Sequence, residues 1–117
     1  MSLSLMRTTR KATHARLATV LEAIPNVGVS IARDLRSIGI KHPRDLIGRN
    51  PYSLYRALCD RTGTRQDPCV LDTFISAVRF MEGAPARPWW SYTAERKKKF
   101  SASSLAPRKI ATARRRK

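Results

Sequence analysis

The sequence predicts an all-α fold, a compact bundle of about five short helices carried between two disordered basic tails. Apolar residues recur every three or four positions through the middle of the chain, no stretch sustains an apolar–polar alternation, and the charge gathers at the ends.

The helices follow in order. Leu17, Val20, Leu21 and Ile24 fall on one face of a first helix, which Pro25 ends because proline disfavours helical geometry in the residue before it. After a tight turn, Ile31, Leu35 and Ile38 form a second stripe closed by Gly39. His42-Pro43 places a cap and a first-turn proline ahead of a short helix through Leu46 and Ile47. Asn50-Pro51 repeats the device before Leu54, Tyr55 and Leu58, and Asp67-Pro68 repeats it before Leu71, Phe74, Ile75, Val78 and Met81, ending at Gly83. Trp89 and Trp90 in PARPWWSYT are expected to lie over this core, each able to bury ~150–250 Å². A platform for stacking bases is the alternative, and it requires exposed ring faces.

The charge pattern sets the domain plan. Of a formal net charge of +16 over 117 residues, the arm 1–16 carries four basic groups and no acid, and the tail 95–117 carries ten basic groups against Glu95. The domain between them, 17–94, holds ten basic and seven acidic residues and is nearly balanced. One-signed tails on a chain of pI about 11.4 point to a polyanion, above all nucleic acid. No apolar run approaches the ~18–20 residues that span a bilayer, and the amino terminus lacks a secretory pattern. A cytoplasmic protein with no membrane role is expected.

The turn between the first two stripes reads AIPNVGVSIARDL. Its Ile24-Pro25 lead, Gly28 and Ala32 resemble the helix-hairpin-helix motif, in which an apolar residue and proline enter a Gly-x-Gly turn and a second helix follows. Asn26 stands at the first glycine position, where asparagine tolerates a positive φ, and Ser30 stands where many members carry lysine. The first backbone N–H groups of the following helix, around Val29, Ser30 and Ile31, lack intrahelical acceptors and sit at the positive end of its dipole. Without a side chain at Gly28 an anion can approach the main chain, and a phosphate fits that geometry. The candidate DNA-binding set is therefore Asn26, Val27, Gly28, Val29, Ser30 and Ile31, with Arg33, Arg36 and Lys41 beside it and Lys97, Lys98, Lys99, Arg114, Arg115 and Arg116 from the tail. Contacts to backbone phosphates position a duplex without reading its sequence.

The similarity runs further. LEAIPNVGVSIARDLRSIGI, DLIG, LYRALCDRTG, DPCVLDTFISAVRFMEG and PARPWW, in this order and spacing, resemble the small bacterial pathogenicity-locus family of helix-hairpin-helix proteins over residues 21–90. Members often carry histidine where Gln66 sits. The resemblance implies association with nucleic acid, and the expected partner is double-stranded DNA held through its backbone.

Chemistry beyond binding is thinly marked. Cys69 lies at a helix start, where the dipole lowers a thiol pKa and Asp67 opposes it, and Cys59 lies ten residues earlier. The two cysteines with His14 or His42 fall short of a metal-ligand set, no catalytic constellation stands out, and neither cofactor nor enzyme activity is expected. Two rivals to DNA binding remain from the sequence: an adaptor docking a protein partner by a helical face, with tails that solubilise it or contact RNA, and a thiol-based redox role for Cys59 and Cys69.

Overall fold

The structure is a computed structural model and describes residues 10–99. Among them are four α-helices, α1 (Val29–Ser37), α2 (Pro51–Thr62), α3 (Pro68–Met81) and α4 (Thr93–Lys99), and four 3-10 turns at Ala15–Leu17, Leu21–Ala23, Pro43–Leu46 and Trp89–Tyr92. No strand occurs among the described residues.

Helices α2 and α3 start as their sequences dictate. The Asn50 side chain accepts from the N–H groups of Tyr52 (2.8 Å) and Ser53 (3.4 Å), and the Asp67 carboxylate accepts from Cys69 (2.9 Å). Each has proline at its first position, where the missing N–H costs nothing. Gly63 ends α2 in the left-handed region at φ 69°, a conformation that a side chain would strain. The Pro43–Leu46 turn is held by Asp45, whose carboxylate accepts from the N–H groups of Lys41 and His42.

Helix α3 is the axis of the molecule. The turns at Ala15–Leu17, Pro43–Leu46 and Trp89–Tyr92 and helices α2 and α4 all pack on it. It is buried around nearly its whole circumference, so Asp72, Thr73 and Ser76 are buried along with Leu71, Phe74, Ile75 and Val78. The polar three are satisfied, as buried polar groups must be. Asp72 accepts from the Thr93 hydroxyl (2.7 Å) and from Arg96 (2.8 Å), the Thr73 hydroxyl donates to the Cys69 carbonyl, and the Ser76 hydroxyl accepts from Asn26.

Three expectations change. The stripe at 17–24 is not an α-helix. Two 3-10 turns flank extended Ala18 and Val20, leaving Leu17 52% and Val20 43% exposed while Leu21 and Ile24 are fully buried. The end of the stretch is satisfied from outside, the Ala12 N–H donating to the Ala23 carbonyl (2.8 Å) and the Lys11 ammonium to the carbonyls of Glu22 and Ile24. Charge also misplaced both domain edges. Lys11 and Ala12, assigned to the arm, are tied to the body, and the boundary at 94/95 falls inside α4, which Arg79–Glu95 and Asp72–Arg96 pairs anchor to α3. Finally, the tryptophans do not close over the core as a pair. Trp89 is half-buried and Trp90 is 62% exposed, while Tyr92 is the aromatic residue that is buried.

Candidate nucleic-acid interface

The turn ahead of α1 is built from the residues its sequence singles out. Ile24 is extended (φ −72°, ψ 132°), as the residue before a proline prefers, and the Val27 N–H closes the bend on the Ile24 carbonyl at 3.0 Å. Asn26 takes φ 73°, the left-handed conformation for which asparagine is suited. Gly28 is extended at φ −92° and forms the cap of α1 without any side-chain hydrogen bond. Its use is openness rather than an unusual φ, because a Cβ placed there meets nothing within 4 Å.

The first intrahelical bond of α1 runs from the Ala32 N–H to the Gly28 carbonyl at 2.9 Å. The N–H groups of Val29, Ser30 and Ile31 find no acceptor among the described residues. Gly28, Val29 and Ser30 are exposed, and α1 has no acidic residue in its first turn. The edge is therefore an open row of donors at the positive end of a helix dipole.

The cationic side chains that the sequence singles out divide by whether their charge is already matched. Arg36 is exposed, but its guanidinium meets the Glu22 carboxylate through two bonds of 2.9 Å, which holds Glu22 below the usual carboxylate range. Its cation is largely neutralised, which removes it from the set of uncommitted phosphate contacts. Arg33 and Lys41 are exposed with no ion pair among the described residues, as are Lys97 and Lys98, and Lys99 reaches Glu95 only at 4.0 Å. Arg114, Arg115 and Arg116 lie outside the described residues.

Two residues bind the turn together in ways sequence reasoning missed. The Lys11 ammonium donates to the carbonyls of Glu22 (2.8 Å), Ile24 (3.2 Å) and Val27 (2.7 Å), spending its three protons on the inside of the bend. Burial lowers the Lys11 pKa, with Glu22 opposing that shift. Its signal in the sequence is nil, since one lysine in a basic arm looks like any other. The Asn26 amide donates to the Ser76 hydroxyl (2.9 Å) and the Arg87 carbonyl (2.6 Å), joining the turn to α3 and to the segment leading into Trp89.

Both thiols are free and half-buried. Burial pushes the Cys69 thiol up, and the Asp67 carboxylate adds to the shift. Cys59 is half-buried and its sulfur accepts the Gln66 N–H at 3.3 Å. Among the described residues no group of three or more His, Cys, Asp or Glu is arranged to hold a metal ion, and no helix is long and apolar enough to cross a membrane.

Comparison with known proteins places this architecture. No solved structure matches the chain. Over 78 residues it is 50% identical to the mitomycin resistance protein McrB of Streptomyces lavendulae, a match covering 67% of this chain and 74% of that protein. The model of the Pathogenicity locus family, Cdd1, matches residues 14–98, from the first 3-10 turn to the last turn of α4, and the chain belongs to that family.

Proposed function

We propose that the protein binds DNA through its phosphate backbone without reading sequence. The turn at 24–28 with α1 plays the part of the second half of a helix-hairpin-helix motif, presenting the Val29, Ser30 and Ile31 amides to one phosphate. Arg33, Lys41 and the exposed lysines of α4 neutralise its neighbours, and the basic terminal segments add further contacts. The observation that carries this reading is the open, acid-free start of α1 on a chain of net charge +16.

A salt-series titration against duplex DNA tests it. If six phosphates are neutralised, log K falls against log[salt] with a slope of about −5. Ending the chain after Lys99 removes six basic residues and no acid, and the slope should flatten accordingly. Gly28→Asp places a carboxylate where the phosphate sits and should weaken duplex binding at least about tenfold, or ~1.4 kcal/mol. Full affinity in that variant removes the hairpin from the account.

A second reading, resistance to mitomycin, is favoured by the likeness to the mitomycin resistance protein of Streptomyces lavendulae. Survival of a mitomycin-sensitive host expressing this chain checks it. Loss of protection in Gly28→Asp would tie resistance to the same surface, and full protection would separate the two.

A further inference from the structure

Trp90 is the largest exposed apolar side chain described, with 62% of its surface open to solvent. The turn that carries it is held by hydrogen bonds. Its 3-10 turn is closed by Ser91, whose N–H (3.0 Å) and hydroxyl (2.7 Å) both donate to the Pro88 carbonyl. Tyr92 anchors the far end, buried in the core with the Arg79 guanidinium 5.9 Å from its ring. Trp89 meets Trp90 edge-to-face, with centroids 5.6 Å apart and planes at 85°. A ring so fixed gives up little conformational entropy when a partner lies against it.

The position of that ring is what gives it meaning. The Asn26 amide grips the Arg87 carbonyl, so the hairpin turn and the tryptophan turn are one connected surface. Gly28 lies two residues after Asn26 and Trp90 three residues after Arg87, chain lengths of at most roughly 7 Å and roughly 11 Å. Nearby carboxylates are already engaged: Asp72 with Thr93 and Arg96, Glu95 with Arg79, and Glu82 with the Gly48 N–H. Arg87 is exposed with no ion pair among the described residues. Amide donors, an exposed guanidinium and an exposed indole are thus tied to the two sides of one hydrogen bond, from Asn26 to Arg87.

We propose that Trp90 stacks on an unpaired nucleobase, so that the DNA this surface prefers carries a single-stranded stretch beside the phosphate seated at α1. Every base offers a π-face, so such stacking is indifferent to sequence, and a blunt duplex keeps its bases out of reach. The proposal rests on the DNA reading above and specifies its substrate.

Trp89→Phe leaves Trp90 as the chain's one indole, since the sequence has two tryptophans. Titrating that full-length variant with a single strand, a blunt duplex and the same duplex with an overhang should quench Trp90 emission with the first and third and leave it little changed with the second. In the wild-type background, Trp90→Ala should weaken single-strand and overhang binding roughly 5- to 150-fold, the equivalent of ~1–3 kcal/mol per stacked base, and shift blunt-duplex affinity less than about twofold. An unquenched Trp90, or equal losses on all three DNAs, overturns the proposal. Gly28→Asp separates the two claims. If it leaves duplex binding intact while Trp90 is still quenched, the phosphate seat fails and stacking stands. If it abolishes duplex binding while Trp90→Ala changes nothing, stacking fails and the seat stands.

Discussion

Helix α1 begins in the opposite way to α2 and α3. Asn50 and Asp67 turn their side chains onto the first amides of their helices, and Pro51 and Pro68 remove a further donor, so those two ends are largely closed from within. Gly28 supplies no side chain, Val29 keeps its N–H, and no acid follows in the first turn. What stabilises this start lies behind it, in the three carbonyls gathered by Lys11, and below it, in the bonds from Asn26 to Ser76 and Arg87. A capped end contributes to stability alone. An end braced from behind is stable and still has its amides to offer.

That contrast can be broken at several points. Lys11→Met should be the most damaging, leaving the carbonyls of Glu22 and Val27 without this donor and Ile24 with the Val27 N–H alone, and costing about 1.5–3 kcal/mol, the range for hydrogen bonds to a charged group. Urea unfolding measures the loss, and duplex affinity should fall with it because the same bend aims α1. Asn50→Ala should cost about 1 kcal/mol by the same assay and leave DNA affinity unchanged. A parallel drop in affinity would mean that the two helix starts are not independent.

Acid provides a third probe. The bonds from the Cys69 N–H and thiol hold the Asp67 carboxyl below its usual pKa. A carboxylate so depressed contributes stability fully above its unfolded pKa of about 3.9, and the contribution drains away as pH falls through the lower folded value. Asp67→Asn should therefore flatten the acid limb of a stability–pH curve below about pH 4, whereas the start of α1 has no carboxylate cap to titrate. The smallest effect on stability should come from Gly28→Asp, a gain of a few tenths of a kcal/mol from the new cap. Its accompanying loss of duplex binding would show stability and function moving in opposite directions at one residue.

Much of this was legible in the residues. Asn50-Pro51 and Asp67-Pro68 mark helix starts because a short acceptor side chain and a fixed φ act within one turn of chain. The stripe from Leu71 to Met81 marks the central helix because burial selects apolar residues at its own period. Asn26 was legible as a left-handed residue for a similarly local reason.

The residues at 17–24 show where that stops. Their spacing fits a helix, and an isolated peptide would offer no objection. Only in the folded chain do Lys11 and Ala12 arrive to meet the carbonyls of Glu22, Ala23 and Ile24, and only there do Leu21 and Ile24 reach the core while Leu17 and Val20 stay exposed. The same holds for the cations. Sequence counts Arg33 and Arg36 alike, but Glu22, fourteen residues earlier, neutralises the second and not the first. Local propensity, capping and total charge were thus determined by the sequence itself. Which charges remain uncommitted, and that Trp90 faces outward while Tyr92 faces in, was decided by tertiary structure, because both depend on partners that only folding brings within reach.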